Sequence, residues 1–196
     1  MKMCAIFLLI SSWLTGNDLS VQKAYILSKG YTVIIHGSVS IHAWTETIEE
    51  VSGELVGSMN GDGSANLQSI RIVMEVRSIK SDMGSVMNSK TFKALKADAD
   101  PEITFLLAIP AKLSQISPGG KAVSLKGSLT LAGVTHPVIM VIKSFKVVKD
   151  TMTFEGEQTI KMTDFGVKPP SALFGAMKTA PEITINFKTD FTVKQK

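Results

Sequence analysis

Cysteine is almost absent from the chain, which has one such residue, Cys4, among 196 residues. One thiol cannot form a disulfide within the chain, and it cannot build a zinc site from cysteines. Cys4 also precedes the apolar N-terminal run, whereas the cysteine of a bacterial lipoprotein anchor follows that run. Lipidation is therefore not expected, and packing must hold the fold together.

Sequence motifs of catalysis are also missing. The chain has no Gly-x-Ser-x-Gly nucleophile motif and no glycine-rich loop of the phosphate-binding kind. His36 and His42 lie six residues apart, about 20 Å along a straight strand, so they cannot share a metal without a sharp bend. Asp164 is the most motif-like acid, but it is more typical of a turn residue at a strand end. The sequence predicts a protein that is not an enzyme, requires no cofactor and has no metal site.

Charge of one sign is not concentrated anywhere in the chain. There are 21 basic and 17 acidic residues, for a formal net charge of +4, and the basic residues are scattered. Nucleic-acid binding usually needs a concentrated basic face, so a nucleic-acid partner is not expected. With 44% hydrophobic and 19% charged residues, the composition suits one globular domain and leaves an oligomer open.

The N-terminus differs in kind from the rest. Lys2 is followed by an apolar run, Cys4 to Leu14, and then by the polar stretch Thr15 to Ser20. This run is too short to span a bilayer but suits the apolar region of a signal peptide. We therefore predict a signal peptide at residues 1–20, one domain at residues 21–196 without a transmembrane span, and export to the periplasm or the medium. A buried N-terminal helix stays open, because no Ala-x-Ala cleavage site is present.

Alternating polarity predicts a series of strands. Thr32 to Trp44 predicts one long strand whose odd positions are apolar or small, with Ile34 and Trp44 as exceptions. Three- and four-residue spacing predicts one short helix around Ser85 to Ala97. Asn60 to Gly63 reads as a turn rather than a calcium loop, because the carboxylates needed downstream are missing. Further strands are predicted at Thr47–Met59, Leu67–Ser78, Ile103–Ile109, Leu125–Leu131, Val138–Ile142, Met152–Met162 and Ile183–Phe187.

The predicted fold class is all-β. About eight strands without regular alternation of helix and strand argue against a parallel α/β fold. We predict an antiparallel, lipocalin-like barrel with one or two short helices, because a closed barrel leaves no open edge and suits long, glycine-marked strands. Such a barrel either holds one small ligand or is filled by its own side chains.

The stretch Lys126 to Ile139 predicts a hairpin with a connection at Ala132 to Pro137. Its pattern Gly-x-Leu-Thr-Leu-x-Gly-Val-Thr-x-Pro-Val resembles the signature hairpin of the YceI-like family, periplasmic lipocalin-like barrels that bind polyisoprenoid lipids. Three further segments resemble the family in the expected order, at residues 36–44, 92–105 and 154–167. The resemblance implies a barrel that encloses a long isoprenoid tail, of the polyprenyl phosphate or quinone type, for carriage or storage.

Inward positions on the predicted strands form an apolar wall. From the pattern alone, this wall is equally expected of a solid core and of a cavity, and the resemblance favours a lipid cavity. The alternative is a filled barrel that acts through protein contacts, and the long loop Val167 to Lys178 would either cover a cavity or block it. His42 and His136 are the candidates for contact with a lipid head group, although each is also typical of a structural histidine. The predicted lipid-binding residues are Val33, Ile35, Val39, Leu55, Ile72, Met74, Phe105, Leu129, Leu131, Met140, Phe154 and Ile185.

Overall fold

The computed structural model describes residues 21–39, 42–169, 171–172 and 177–194. The predicted signal peptide lies outside these residues, as does part of the predicted loop at residues 167–178. The described chain is mostly strand, with one α-helix, α1, at Ser85–Ala94 and two 3-10 turns at Val76–Ser78 and Met162–Phe165. The strands are β1 Lys23–Leu27, β2 Thr32–Val39, β3 His42–Ile48, β4 Val51–Met59, β5 Ala65–Glu75, β6 Ile79–Ser81, β7 Glu102–Leu107, β8 Ala111–Leu113, β9 Val123–Leu131, β10 Val134–Val148, β11 Thr151–Lys161, β12 Ser171–Ala172, β13 Met177–Lys178 and β14 Glu182–Val193.

The strands close into an antiparallel barrel with eight wall positions. The hydrogen-bonded order β1-β4-β5-β7-β9-β10-β11-β14 returns to its start because β1 also pairs with β14. β1 and β2 pair with different parts of the same edge of β14, so these two strands together form one of the eight wall positions. β3 and β4 form a second such position and β5 and β6 a third, because β3 pairs with β2 on one side and with β6 on the other. The predicted fold class is confirmed.

The predicted strand Thr32 to Trp44 is wrong, because the chain forms a hairpin there. β2 and β3 are antiparallel, with Val39 opposite His42 and Gly37 opposite Trp44. Partners across an antiparallel pair face the same side, so an inward odd position on β2 is paired with an even position on β3. Trp44, an exception to the predicted alternation, thus marks the phase change.

The hairpin of β9 and β10 is confirmed, but its connection is shorter than predicted. Ala132 and Gly133 form the turn with φ of 51° and 79°. Two residues with positive φ match the twist of the flanking strands in a two-residue hairpin. Pro137, predicted in the connection, lies within β10 opposite Ser128.

The two ends of the barrel differ in packing. The end that carries α1, the β2–β3 and β9–β10 connections and the turn Met162–Phe165 is called the helix end here. The opposite end carries β1 and the β4–β5 and β10–β11 turns and is called the filled end. Seven large side chains exposed by 2% or less lie at the filled end, whereas Ile79 and Phe165, which are equally buried, lie at the helix end. The seven are Tyr25, Leu55, Leu67, Leu113, Phe145, Met152 and Phe191. This packing closes one end of the barrel.

The helix α1 lies over the other end. It begins after Gly84, whose φ is 87°, and it ends before Lys96, whose φ is 55°. Asn88 ties it to the barrel by accepting a 2.7 Å hydrogen bond from the backbone N–H of Ser81 in β6. Within the described part of the chain, no helix has the length and apolar character that a bilayer crossing requires.

Candidate functional site

The barrel encloses an apolar cavity of about 180 Å³ at its helix end. This volume exceeds the ~150 Å³ of an apolar cavity that admits benzene, and it is smaller than the ~300–1,000 Å³ of typical ligand pockets. Both the wall strands and the inner side of α1 contribute residues to its lining. The residues that line it include Val33, Ile35, Val39, Trp44, Glu46, Ile48, Ile72, Met74, Met87, Thr91, Leu95, Phe105, Leu129, Leu131, Val138, Met140, Phe154, Gln158, Met162, Val167, Ile185, Phe187 and Phe191.

The structure brings together eleven of the twelve predicted lipid-binding residues on this wall. They are Val33, Ile35, Val39, Ile72, Met74, Phe105, Leu129, Leu131, Met140, Phe154 and Ile185. The placement of Leu55 is a correction, because its side chain is fully buried at the filled end, opposite Tyr25 on β1 and Ile70 on β5, and does not line the cavity. The alternation correctly predicts that Leu55 faces inward. It does not predict whether an inward side chain lines a cavity or packs against other side chains. Contact with lipid stays a prediction for the other eleven.

The floor of the cavity is aromatic. The Phe154 and Phe191 rings meet edge to face, with centroids 5.9 Å apart. Phe145 packs behind Phe154 at 4.9 Å. Phe154 and Phe191 line the cavity and Phe145 behind them does not, so these rings form its floor toward the filled end.

Glu46 is a residue of the wall that the sequence analysis missed. Its side chain is 4% exposed, and its carboxyl group accepts a 2.7 Å hydrogen bond from the Thr91 hydroxyl of α1. Burial raises the pKa of the Glu46 carboxyl above its usual value; the Thr91 hydrogen bond opposes the rise, and nearby Asp82 adds to it. Trp44 could have revealed this, because it breaks the alternation of the preceding residues. Glu46 lies two residues after Trp44 in β3 and therefore faces the same inward side.

Gln158 on β11 is a second polar residue of the wall. It lies on the predicted strand Met152–Met162 with the parity of Phe154, but the sequence analysis gives it no role. The side chain is 8% exposed, and its Nε2 donates a 2.7 Å hydrogen bond to the Thr159 carbonyl. Its Oε1 is buried, and none of the described residues forms a hydrogen bond with it. Thr179 and Thr189 add hydroxyl groups to a wall that is otherwise apolar.

The two histidines predicted to contact a head group have different outcomes. The backbone of His42 pairs with Val39 at the helix end, and its side chain lies outside the described part of the structure. His136 on β10 is exposed, and its ring packs edge-on against Phe165 with centroids 5.3 Å apart. His136 therefore lies near the mouth without lining the cavity, and a role of either histidine in binding stays a prediction.

The described side chains do not offer a metal site. Within residues 21–39, 42–169, 171–172 and 177–194, no group of three or more His, Cys, Asp or Glu side chains comes close enough to hold an ion. What the site offers chemically is an apolar chamber with one carboxyl group, one amide and a few hydroxyl groups. Such a chamber suits an extended apolar molecule that carries few polar atoms.

Comparison with solved structures identifies the fold. The crystal structure of BcnA from Burkholderia cenocepacia has a TM-score of 0.62 and 19% identity, over 82% of this chain and 95% of that chain. A polyisoprenoid-binding domain from Saccharophagus degradans has a TM-score of 0.60 and 14% identity, over 88% and 99%. A YceI protein from Campylobacter jejuni has a TM-score of 0.53 and 16% identity, over 76% and 85%.

Sequence comparison identifies the family. No curated protein matches the chain. The model of the YceI-like domain, however, matches residues 29–191, which is most of the chain. The match begins just before β2 and ends within β14, at the floor residue Phe191. The four segments that resembled the family all fall within this match. The chain therefore belongs to the YceI-like family.

Proposed function

We propose that the protein binds a long-chain isoprenoid lipid inside its barrel, for carriage or storage and without catalysing a reaction. The observation that carries this proposal is the apolar cavity, which an aromatic floor closes at one end and the helix α1 lines at the other. The apolar tail of such a lipid fits a chamber that is closed at one end. The polar head group of the lipid then lies toward the helix end.

Family and fold support the same function. The chain belongs to the YceI-like family, and one of its structural neighbours is a polyisoprenoid-binding domain. We further propose that the chain is exported, on the basis of Lys2 and the apolar run at residues 4–14. Export would bring the barrel close to the membrane in which isoprenoid lipids are found.

The size of the cavity sets a condition on the proposal. A long tail needs more room than 180 Å³, so wall side chains must move when it enters. Met74, Met87, Met140 and Met162 line the cavity, and methionine adapts to irregular shapes more readily than branched residues do. Each methylene transferred from water contributes about 0.8 kcal/mol, so affinity should rise with tail length until the chamber is full.

The filled barrel that acts through protein contacts is the alternative. It predicts that side chains occupy the whole interior. They do so at the filled end, where Tyr25, Leu55 and Phe145 are exposed by 2% or less, but the helix end keeps its cavity. The lipid-binding function is therefore the better supported of the two.

Native mass spectrometry of the protein purified from its own host tests the proposal. We expect a bound species that organic extraction identifies by repeating isoprene mass, together with an N-terminus trimmed near residue 20. If the protein carries only its polypeptide mass, and still does so after incubation with polyprenols, polyprenyl phosphates and quinones, lipid binding is excluded. An untrimmed N-terminus would refute export alone.

A further inference from the structure

Two polar side chains face the cavity from the same row of the barrel wall. Glu46 on β3 pairs with Ile35 on β2, Ile35 pairs with Ile185 on β14, and Ile185 pairs with Gln158 on β11. Residues directly paired across antiparallel strands face the same side, so all four point inward along one hydrogen-bonded row. Three strand spacings cover about 14 Å of wall along this row, so Glu46 and Gln158 face the cavity from well-separated positions.

The Gln158 amide presents an acceptor that no described residue uses. Its Nε2 donates to the Thr159 carbonyl at 2.7 Å, and this bond fixes which end of the amide carries oxygen, because the reverse orientation would place two acceptors together. Among the described residues, its Oε1 has no hydrogen-bond partner, although the residue is only 8% exposed. Buried polar atoms are normally hydrogen-bonded, so this oxygen is suited to a donor from a ligand.

The opposite side of the row carries an acidic residue, and the described part of the chain shows no ion pair to it. Glu46 accepts one hydrogen bond, from Thr91. Among the described residues that line the cavity there is no Lys, Arg or His. A phosphate group placed beside Gln158 Oε1 would face another acceptor, and no described lining residue offers a cation to balance its charge, which is an unfavourable arrangement in an apolar site.

We propose that this row selects a lipid whose polar end is uncharged and carries a hydrogen-bond donor, an O–H or N–H group that donates to Gln158 Oε1. Alcohols, phenols and primary amides have this chemistry, whereas phosphates and ethers do not. This inference rests on the proposed function and narrows the head groups that the family resemblance implied. A site that offers a buried acceptor discriminates strongly against an analogue without the donor, because that acceptor then stays unpaired.

A ligand series with one constant tail tests the inference. The probes are geranylgeraniol, its methyl ether, its monophosphate, and the primary amide of geranylgeranoic acid. Trp44 lines the cavity, so its fluorescence reports binding to the delipidated protein. We expect the alcohol and the amide to bind about ten-fold or more tightly than the ether, since one hydrogen bond is worth about that ratio. The phosphate should bind more weakly than the alcohol.

A variant of Gln158 links the preference to one atom. Gln158→Met keeps the length of the side chain and removes the amide, so the ratio of alcohol to ether affinity should fall toward one. Thr159→Met, at the exposed neighbouring position on β11, is the matched control and should keep the ratio. If Gln158→Met does not fold, the series on the unaltered protein still decides the question.

The outcomes separate this inference from the proposed function. If the alcohol, amide, ether and phosphate all fail to bind, the proposed function is refuted together with it. If the ether or the phosphate binds as tightly as the alcohol, or if Gln158→Met keeps the preference, lipid binding stands and the selection by this row is refuted. A preference that Gln158→Met abolishes and Thr159→Met retains supports both.

Discussion

The hydroxyl of Thr91 on α1 donates a 2.7 Å hydrogen bond to the carboxyl group of Glu46 on β3. This bond joins the helix that lies over the barrel to the wall of the cavity beneath it. Glu46 is 4% exposed, so water cannot easily replace the donor if it is lost. The pair therefore couples the position of the helix to a buried polar group of the wall.

Thr91→Val should weaken the protein, because it keeps the shape of the side chain and removes the donor. A buried acceptor left without a partner costs about 1–3 kcal/mol, and we expect the free energy of unfolding to fall by that amount in urea titrations. Ser89→Ala is the control, since this exposed hydroxyl on the same helix donates to the Ser85 carbonyl within its own helix. Equal stability of Thr91→Val and the unaltered protein would show that the bond contributes nothing.

Glu46 should make stability depend on pH. Burial raises the pKa of its carboxyl group in the folded state, so between the unfolded and folded pKa values the folded chain binds the proton more tightly. The tighter proton binding adds to the free energy of unfolding below the unfolded pKa of about 4.5, and this gain is lost as the pH rises through the folded pKa. Stability measured relative to Glu46→Gln should thus decline from about pH 4.5 upward.

Asp82 offers an independent check of that pH dependence. Its negative charge contributes to the raised pKa of Glu46, so Asp82→Asn should make the decline smaller. Asp82 also accepts hydrogen bonds from the Thr45 N–H and hydroxyl at 3.0 and 2.8 Å, so the comparison uses the slope with pH rather than the absolute stability. A decline that is as steep in Glu46→Gln as in the unaltered protein would assign the pH dependence to other groups.

The barrel and most of its wall were predictable from the sequence, because alternation of apolar and polar residues follows directly from a sheet with one buried face. The hairpin of β2 and β3 was not, since apolar positions continue through it and only Trp44 breaks the phase. Because one predicted strand ended at Trp44 and the next began at Thr47, Glu46 was assigned to neither strand. Leu55 shows the complementary limit, because its period predicts an inward side chain but not whether that side chain meets a cavity or packed neighbours.

The polar part of the site was harder to predict than the apolar part. Gln158 shares the inward face of β11 with Phe154 and Ile160, and one amide on that face does not reveal that no described residue pairs with its oxygen. That property depends on which side chains other strands place around it, such as Ile185 opposite it on β14. Register joins residues far apart in the chain, and no local pattern specifies it.

Gly127 on β9 should be intolerant of any side chain. A Cβ atom added there would overlap the ring of Phe105 on β7 and approach the Leu106 carbonyl oxygen to 2.8 Å. Backbone and ring cannot both move away within the sheet, so we expect Gly127→Ala to lower the free energy of unfolding by about 1–3 kcal/mol. Gly61→Ala, in the β4–β5 turn with no atom within 4 Å, should leave it nearly unchanged. Equal denaturation midpoints for both variants would contradict this packing.

Met140→Trp should block the cavity, because Met140 lines it on β10 and an indole ring would occupy the space that a lipid tail needs. Ile139→Trp is the matched control at the adjacent position, where the side chain is 56% exposed and faces outward opposite Lys126. We expect native mass spectrometry to find lipid on the control and at least ten-fold less on Met140→Trp, since methylenes that stay in water forfeit about 0.8 kcal/mol each. The cavity has room for the ring, so thermal unfolding should show a folded variant. A folded Met140→Trp that still carries its lipid would show that the tail does not occupy this chamber.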